Sequence, residues 1–193
     1  MVQQHNAALF EAYAQRAKSM LGHIQELQKA FRSLNRPLFY TRHGAFLPSG
    51  DDLIVRRRSR ETSALNSTEQ DAGHMPGPGD RGFEILTQVA PESRDLVFDK
   101  NTSSAFHSTP VDLVLRNMGI DTIVLTGMAA DMCVLTTALD AADRGFHVII
   151  ASDACATFDQ GSAEATQVLF RRVFGKVMET EDIVDWLKDG GSP

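Results

Sequence analysis

Three short runs in the chain combine an apolar stretch with chemically capable residues at its end: Tyr40-Thr41-Arg42-His43, Phe98-Asp99-Lys100, and Leu125-Thr126-Gly127-Met128-Ala129-Ala130-Asp131-Met132-Cys133. The third places a cysteine at the start of a predicted helix, behind a strand and a turn of small residues. There the unpaired N–H groups and positive helix end favour a thiolate over a thiol. The same N–H groups offer stabilisation to an oxyanion. Lys100, ending a neighbouring strand, adds a positive charge that favours the thiolate further. A lone cysteine at such a position also packs as a small apolar side chain, and a lone lysine as a solvated one. Spacing by itself leaves both readings open. Cys155, in Ser152-Asp153-Ala154-Cys155-Ala156, has no comparable helix start and reads as packing.

The elements that must position these residues follow from periodicity. Residues 7–34 read as helix, with Leu21, Ile24, Leu27 and Phe31 at spacings of three and four, and Pro37 beyond it. Short buried strands are expected at 37–41, 95–98, 122–125, 148–151 and near 176–178. The run at 122–125, Thr-Ile-Val-Leu, has the β-branched apolar character of a strand covered on both faces. Helices are expected from Thr109-Pro110, which supply favoured N-cap and N1 residues, over 131–144 with Gly145 as the stop, and over 163–173 and 180–187. Residues 42–80 hold much of the Gly, Pro and charge and read as one long loop. Alternating strands and helices of this kind predict an α/β fold, a three-layer Rossmann-like parallel sheet with helices on both faces, in a single domain over 1–193.

Composition narrows the function classes. The 193 residues are 42% hydrophobic and 23% charged, ordinary values for a globular chain. A net charge of −6 argues against nucleic acid as a partner. The basic group Arg56-Arg57-Arg58 with Arg60 is flanked by Asp51, Asp52 and Glu61 and reads as a solvated loop. No apolar run reaches the roughly 18–20 residues of a membrane span. The start, Met1-Val2-Gln3-Gln4-His5, has no basic segment followed by an apolar one. With only two cysteines, a reducing, cytoplasmic setting is expected.

Taken in order, the segments resemble the cysteine-hydrolase branch of the isochorismatase-like family. Thr126-Gly127-Met128-Ala129-Ala130-Asp131-Met132-Cys133-Val134 is similar to that family's nucleophile segment, with Ala130 where threonine is usual. Thr137-Ala138-Leu139-Asp140-Ala141, Asp143-Arg144-Gly145-Phe146, Lys100-Asn101-Thr102-Ser103-Ser104-Ala105-Phe106 and Tyr40-Thr41-Arg42-His43-Gly44 continue the likeness. The resemblance implies Cys133 as nucleophile and Lys100 as its catalytic partner. It further implies an oxyanion hole from the N–H groups of Ala129 and Cys133, a cis peptide at Met128–Ala129, and a substrate pocket near Phe106, His43 and Phe46.

The implied chemistry is hydrolysis of an amide, carbamoyl or ureido C–N bond through a thioester, on a small-molecule substrate, with no cofactor and no metal. Metal-binding nicotinamidases carry Asp-x-His near the second strand; here Thr41-Arg42-His43 stands there, with His74 later. A homodimer or higher homo-oligomer is implied too. The family triad also contains an aspartate ending a first β-strand ahead of the first helix. In this sequence no aspartate occurs before Asp51, and no apolar strand precedes Ala7. The resemblance therefore leaves two readings, an active hydrolase or a catalytically impaired binding protein.

Overall fold

The computed structural model describes residues 2–54 and 75–191, with side chains from residue 11. The basic run at 56–60 and His74 lie outside the described residues. Helix α1 (Val2–Ser33) leads into β1 (Phe39–His43), and two single 3₁₀ turns (Arg81–Phe83 and Thr87–Val89) precede β2 (Leu96–Lys100). Then come α2 (Ala105–Ser108), α3 (Val111–Asn117), β3 (Thr122–Met128), a π-helical turn (Ala130–Val134) running into α4 (Leu135–Asp143), β4 (His147–Ala156), α5 (Gln160–Val173), β5 (Lys176–Met178) and α6 (Thr180–Lys188).

Among the described residues every strand pairing is parallel. Alternation along β4 shows the three layers directly. Val148 and Ile150 enter one apolar cluster with Phe106, Leu115, Ala138 and Phe170, from α2 to α5. Ile149 and Ala151 enter the other with Leu27, Ile183 and Leu187, from α1 and α6. A strand buried on both faces must be apolar at consecutive positions, which is what 148–151 supplies. The fold is thus α/β with parallel strands between two helical layers.

Several boundaries differ from the sequence expectation, each for a physical reason. β1 lies at 39–43 rather than 37–41, because its ladder to β2 pairs Phe39 with Leu96 and His43 with Lys100. Residues 105–108 form a short helix that periodicity did not suggest; the Ser104 side chain caps it by accepting from the Phe106 N–H. The Thr109 hydroxyl accepts from Val111 N–H at 3.1 Å and donates to the Ala105 carbonyl at 2.7 Å, so it joins α2 to α3.

Among the described residues the strands form two sheets rather than one, β1-β2 and β3-β4-β5. Helix α1 spans both. Its Gln28 donates to Tyr40 Oη (2.8 Å) and the Val89 carbonyl (3.0 Å), and Arg32 pairs with Asp95 at 2.6 Å, on the side of β1 and β2. Burial alone would raise the Asp95 carboxyl; the Glu92 N–H and Arg32 override it and hold it below the usual carboxylate range. On the other side Arg16 donates to the Phe158 carbonyl at 2.9 Å, just past β4.

The loop after β1 is fastened by close backbone approach. A Cβ at Gly44 would lie 2.0 Å from the Pro76 carbonyl oxygen and 2.7 Å from the Phe83 ring. Gly44→Ala is therefore expected to destabilise by about 1–3 kcal/mol, as overpacking does. Equilibrium urea unfolding checks this, and a change inside about 0.5 kcal/mol would show that the loop yields freely.

Candidate active site

The site lies where the carboxyl ends of β2 and β3 come together, the position at which open parallel sheets bind ligands. At the end of β3 the register with β4 shifts between Leu125 and Gly127, and Gly127 has φ +104°, a conformation suited to glycine. The peptide between Met128 and Ala129 is cis. The chain then enters not an α-helical first turn, as the sequence suggested, but a π-helical one. Ala129 carbonyl accepts from both Met132 N–H and Val134 N–H at 3.1 Å. Single π-helical turns of this kind are concentrated at functional sites. Asp131 is held by Thr157 Oγ1, which fixes the turn against the end of β4.

Lys100 is 2% exposed, so the expectation for an isolated lysine, a solvated side chain, does not describe it. Its Nζ donates to the carbonyls of Thr102 and Ser103, both at 2.9 Å, and lies 3.4 Å from Cys133 Sγ. The loop that follows β2 thus curls back to hold the lysine that precedes it, and aims its charge at the sulfur.

The other strand ends have different roles. Arg42 and Asp99, register partners in β1 and β2, form a two-pronged pair at 2.7 and 3.0 Å. Arg42 also lies over the Phe83 ring, 4.7 Å from its centroid. Both are spent on structure. His43 ends β1, and its backbone neighbour Gly44 donates to the Lys100 carbonyl at 3.1 Å. Phe46 is 43% exposed; its N–H, with that of Leu47, donates to the Asp52 carboxylate at 2.8 and 3.1 Å.

A cavity of about 590 Å³ reaches the site, with Lys100, Phe106, Thr126, Gly127, Met128, Cys133 and Thr137 at that end. Phe106 therefore lines it, whereas His43 and Phe46 stand outside its lining. Tyr13 was not singled out by the sequence. Its hydroxyl reaches Met128 Sδ at 3.4 Å and its ring stacks on Phe158 at 4.1 Å, so α1 closes one side of the strand ends. A tyrosine on a helix face gives no sequence signal for such a contact. Among the described residues no three His, Cys, Asp or Glu side chains gather as a metal site would require.

The two cysteines contrast sharply. Cys155 is oriented toward the Leu125 carbonyl, 3.8 Å away, and burial pushes its thiol up to about 12. A raised value means the neutral form persists through neutral pH, so Cys155 is expected to resist iodoacetamide at pH 7–9 while Cys133 is carboxamidomethylated. Peptide mass spectrometry across that range checks it; equal labelling would show that the two environments do not differ as described.

A buried lysine is thus held against a cysteine at the ends of parallel strands in an α/β fold. The comparisons place the chain more closely: residues 2–182 match the isochorismatase domain, and the protein belongs to that family. It is similar to the uncharacterized isochorismatase family protein YwoC of Bacillus subtilis (strain 168), 37% identical over 61% of this chain and 60% of that one. It is also similar to N-carbamoylsarcosine amidase of Arthrobacter sp, 28% identical over 88% of this chain and 62% of that one. The chain thus spans about three fifths of the length of each of these two relatives. The fold is similar to the crystal structure of a cysteine hydrolase from Pseudomonas syringae pv. phaseolicola 1448A, with a TM-score of 0.77 and 25% identity over 90% of this chain and 82% of that one.

Proposed function

We propose that this chain hydrolyses a small-molecule amide, carbamoyl or ureido C–N bond through a thioester on Cys133. The observation that carries the reading is the buried Lys100 Nζ 3.4 Å from Cys133 Sγ at the strand ends. In the first step the Cys133 thiolate adds to the carbonyl carbon, and the oxyanion is met by the N–H groups of Ala129 and Cys133. Collapse of the adduct breaks the C–N bond. The amine or ammonia leaves with a proton, and the acyl group stays on sulfur. Water then adds to the thioester, and the acid product departs as the thiolate re-forms beside Lys100. Neither step calls on a metal or organic cofactor. Family membership and the likeness to an amidase support this class of bond. Phe106 at the cavity wall favours a substrate with an apolar part.

A second reading is a binding protein with impaired turnover. General acid–base assistance is commonly worth about 10²–10⁴-fold, so a site acting without a carboxylate beside the cysteine would be slower in both steps by that order. The working form is a homo-oligomer in the cytoplasm, in keeping with two free cysteines and a net charge of −6. Neither nucleic acid nor membrane is its partner.

Ammonia release from a panel of simple amides, N-carbamoyl amino acids and ureido acids tests the proposal. Turnover with an acyl adduct on the Cys133 peptide is the expected result. Saturable binding with no ammonia and no adduct would establish the second reading instead.

A further inference from the structure

The backbone that holds Lys100 is itself fastened to a neighbouring helix. Thr102 Oγ1 donates to the Ser104 carbonyl at 2.8 Å and stands 3.0 Å from Ser108 Oγ, and Ser104 caps α2. Residues 100–108 thus form one hydrogen-bonded unit, with the lysine at one end and α2 at the other. A helix as short as α2, four residues, does not hold its own place. It meets α4 at two polar points. The Ala105 N–H donates to Thr137 Oγ1 at 3.1 Å, and His107 Nε2 lies 3.1 Å from Asp140 Oδ2. Thr137 and Asp140 are one turn apart on α4, and Thr137 lines the cavity together with Cys133.

The first of these points is buried and carries no titratable group. The second is different. The His107 side chain is 57% exposed, so protons reach it freely. Asp140 Oδ2 is shielded from solvent and accepts no hydrogen bond from any other described residue. A neutral imidazole with its proton on Nδ1 sets a lone pair against that oxygen, whereas an imidazolium donates from both nitrogens. The neighbouring charges come from α3 and α4. Arg144 Nη1 lies 3.6 Å from Asp140 Oδ1, Arg144 Nε lies 4.0 Å from Asp112 Oδ2, and Arg116 Nε takes up Asp112 at 3.0 Å. Arginines keep their charge throughout, so His107 is the member of this cluster that changes charge near neutral pH.

We propose that His107 is a positioning residue: protonated, it clips α2 to Asp140 on α4, holds the cradle of Lys100 in place and so keeps Cys133 reactive at the acid end of the neutral range. The stabilising contact exists while the imidazole carries its second proton and is lost as pH rises and that proton leaves. α2 then keeps only the Ala105–Thr137 point. The loop with the Thr102 and Ser103 carbonyls gains freedom, and the lysine is aimed at the sulfur a smaller fraction of the time. Phe106, between Ala105 and His107, carries the same clip to the cavity wall. The inference rests on the proposed site in one respect, that Lys100 sets the reactivity of Cys133.

Iodoacetamide labelling of Cys133 in the full chain tests it at about pH 5.5 and pH 8, either side of the imidazole range, with no substrate needed. At the lower pH the wild type should label about two- to fivefold faster than His107→Leu, the factor an exposed ion pair contributes. At the higher pH the two should label equally. His107→Gln, a neutral donor at every pH, should match the wild type at the lower pH and outpace it at the higher. A ratio of wild type to His107→Leu that is the same at both pH values gives the histidine a structural part at most and overturns the proposal. So does a His107→Gln that behaves as His107→Leu. Replacing an exposed side chain should leave the fold intact, which thermal melts at both pH values check. A Cys133 that labels no faster than Cys155 in the wild type would overturn the reading of the site itself, and this inference with it.

Discussion

Cys133→Ala should abolish ammonia release from whichever amide or ureido substrate the chain turns over, by roughly 10³-fold or more. Removing a nucleophile takes away the covalent route altogether, and the remaining groups then act on a step that no longer exists. Lys100→Met should cost less, about 10²–10³-fold, the scale on which single charge-stabilising donors act. The lysine variant carries a structural consequence that the cysteine variant does not, because the Thr102 and Ser103 carbonyls lose their common donor. A hydrogen bond from a charged donor is worth about 1.5–3 kcal/mol, so thermal melts must accompany the kinetics. Rates taken well below the melting temperature separate the two effects. Retention of more than a tenth of the activity in Cys133→Ala would remove the sulfur from the mechanism and direct attention to water attack without a covalent intermediate.

The largest stability effect should come from Phe170→Ala on α5. Phe170 is wholly buried, lies against Phe174 with ring centroids 6.1 Å apart, and sits in the cluster that joins α2 through α5 to Val148 and Ile150. Truncation of a core phenylalanine costs about 3–5 kcal/mol through lost transfer energy and the cavity left behind. For a chain of this size that lowers the melting temperature by roughly 6–20 °C. Urea unfolding at constant m-value checks it. A loss under about 1 kcal/mol would mean that neighbours collapse into the space, with Gly175 the obvious place for movement. There an added Cβ would meet the Phe170 ring at 2.7 Å and the Val148 carbonyl at 2.4 Å, so the backbone already rests on that ring.

How far the sequence foretold this arrangement depends on the range of the interaction involved. The run 148–151 announces a doubly buried strand because consecutive β-branched and apolar residues have few other homes, and 131–144 ending at Gly145 announces a helix. The cysteine at a strand-to-helix turn was visible for the same local reason. The long-range facts were not. Nothing in Phe98-Asp99-Lys100 says that Asp99 turns to Arg42 while Lys100 is buried on the carbonyls of Thr102 and Ser103. Those outcomes depend on the β1-β2 register, which alternation alone does not fix. The place of β1 moved by two residues for that reason. His43 and Phe46, grouped with Phe106 by resemblance, fall outside the cavity lining, Phe46 in a turn braced by Asp52. The π-helical turn was invisible because its cause is a count of residues, not their chemistry.

That count has a consequence for how the site tolerates change. An α-helix turns about 100° per residue, so a turn containing one residue more than usual stores its geometry in chain length. Deleting any one of Ala130, Asp131 or Met132 would let the segment relax to ordinary winding. The sulfur would then swing by about 100° around the helix axis, away from Lys100. Ala130 and Met132 can be exchanged without that swing, whereas Asp131 is tied to Thr157 and Cys133 faces Lys100. For an engineer or for natural drift, this stretch is strict in its spacing even where its letters can vary.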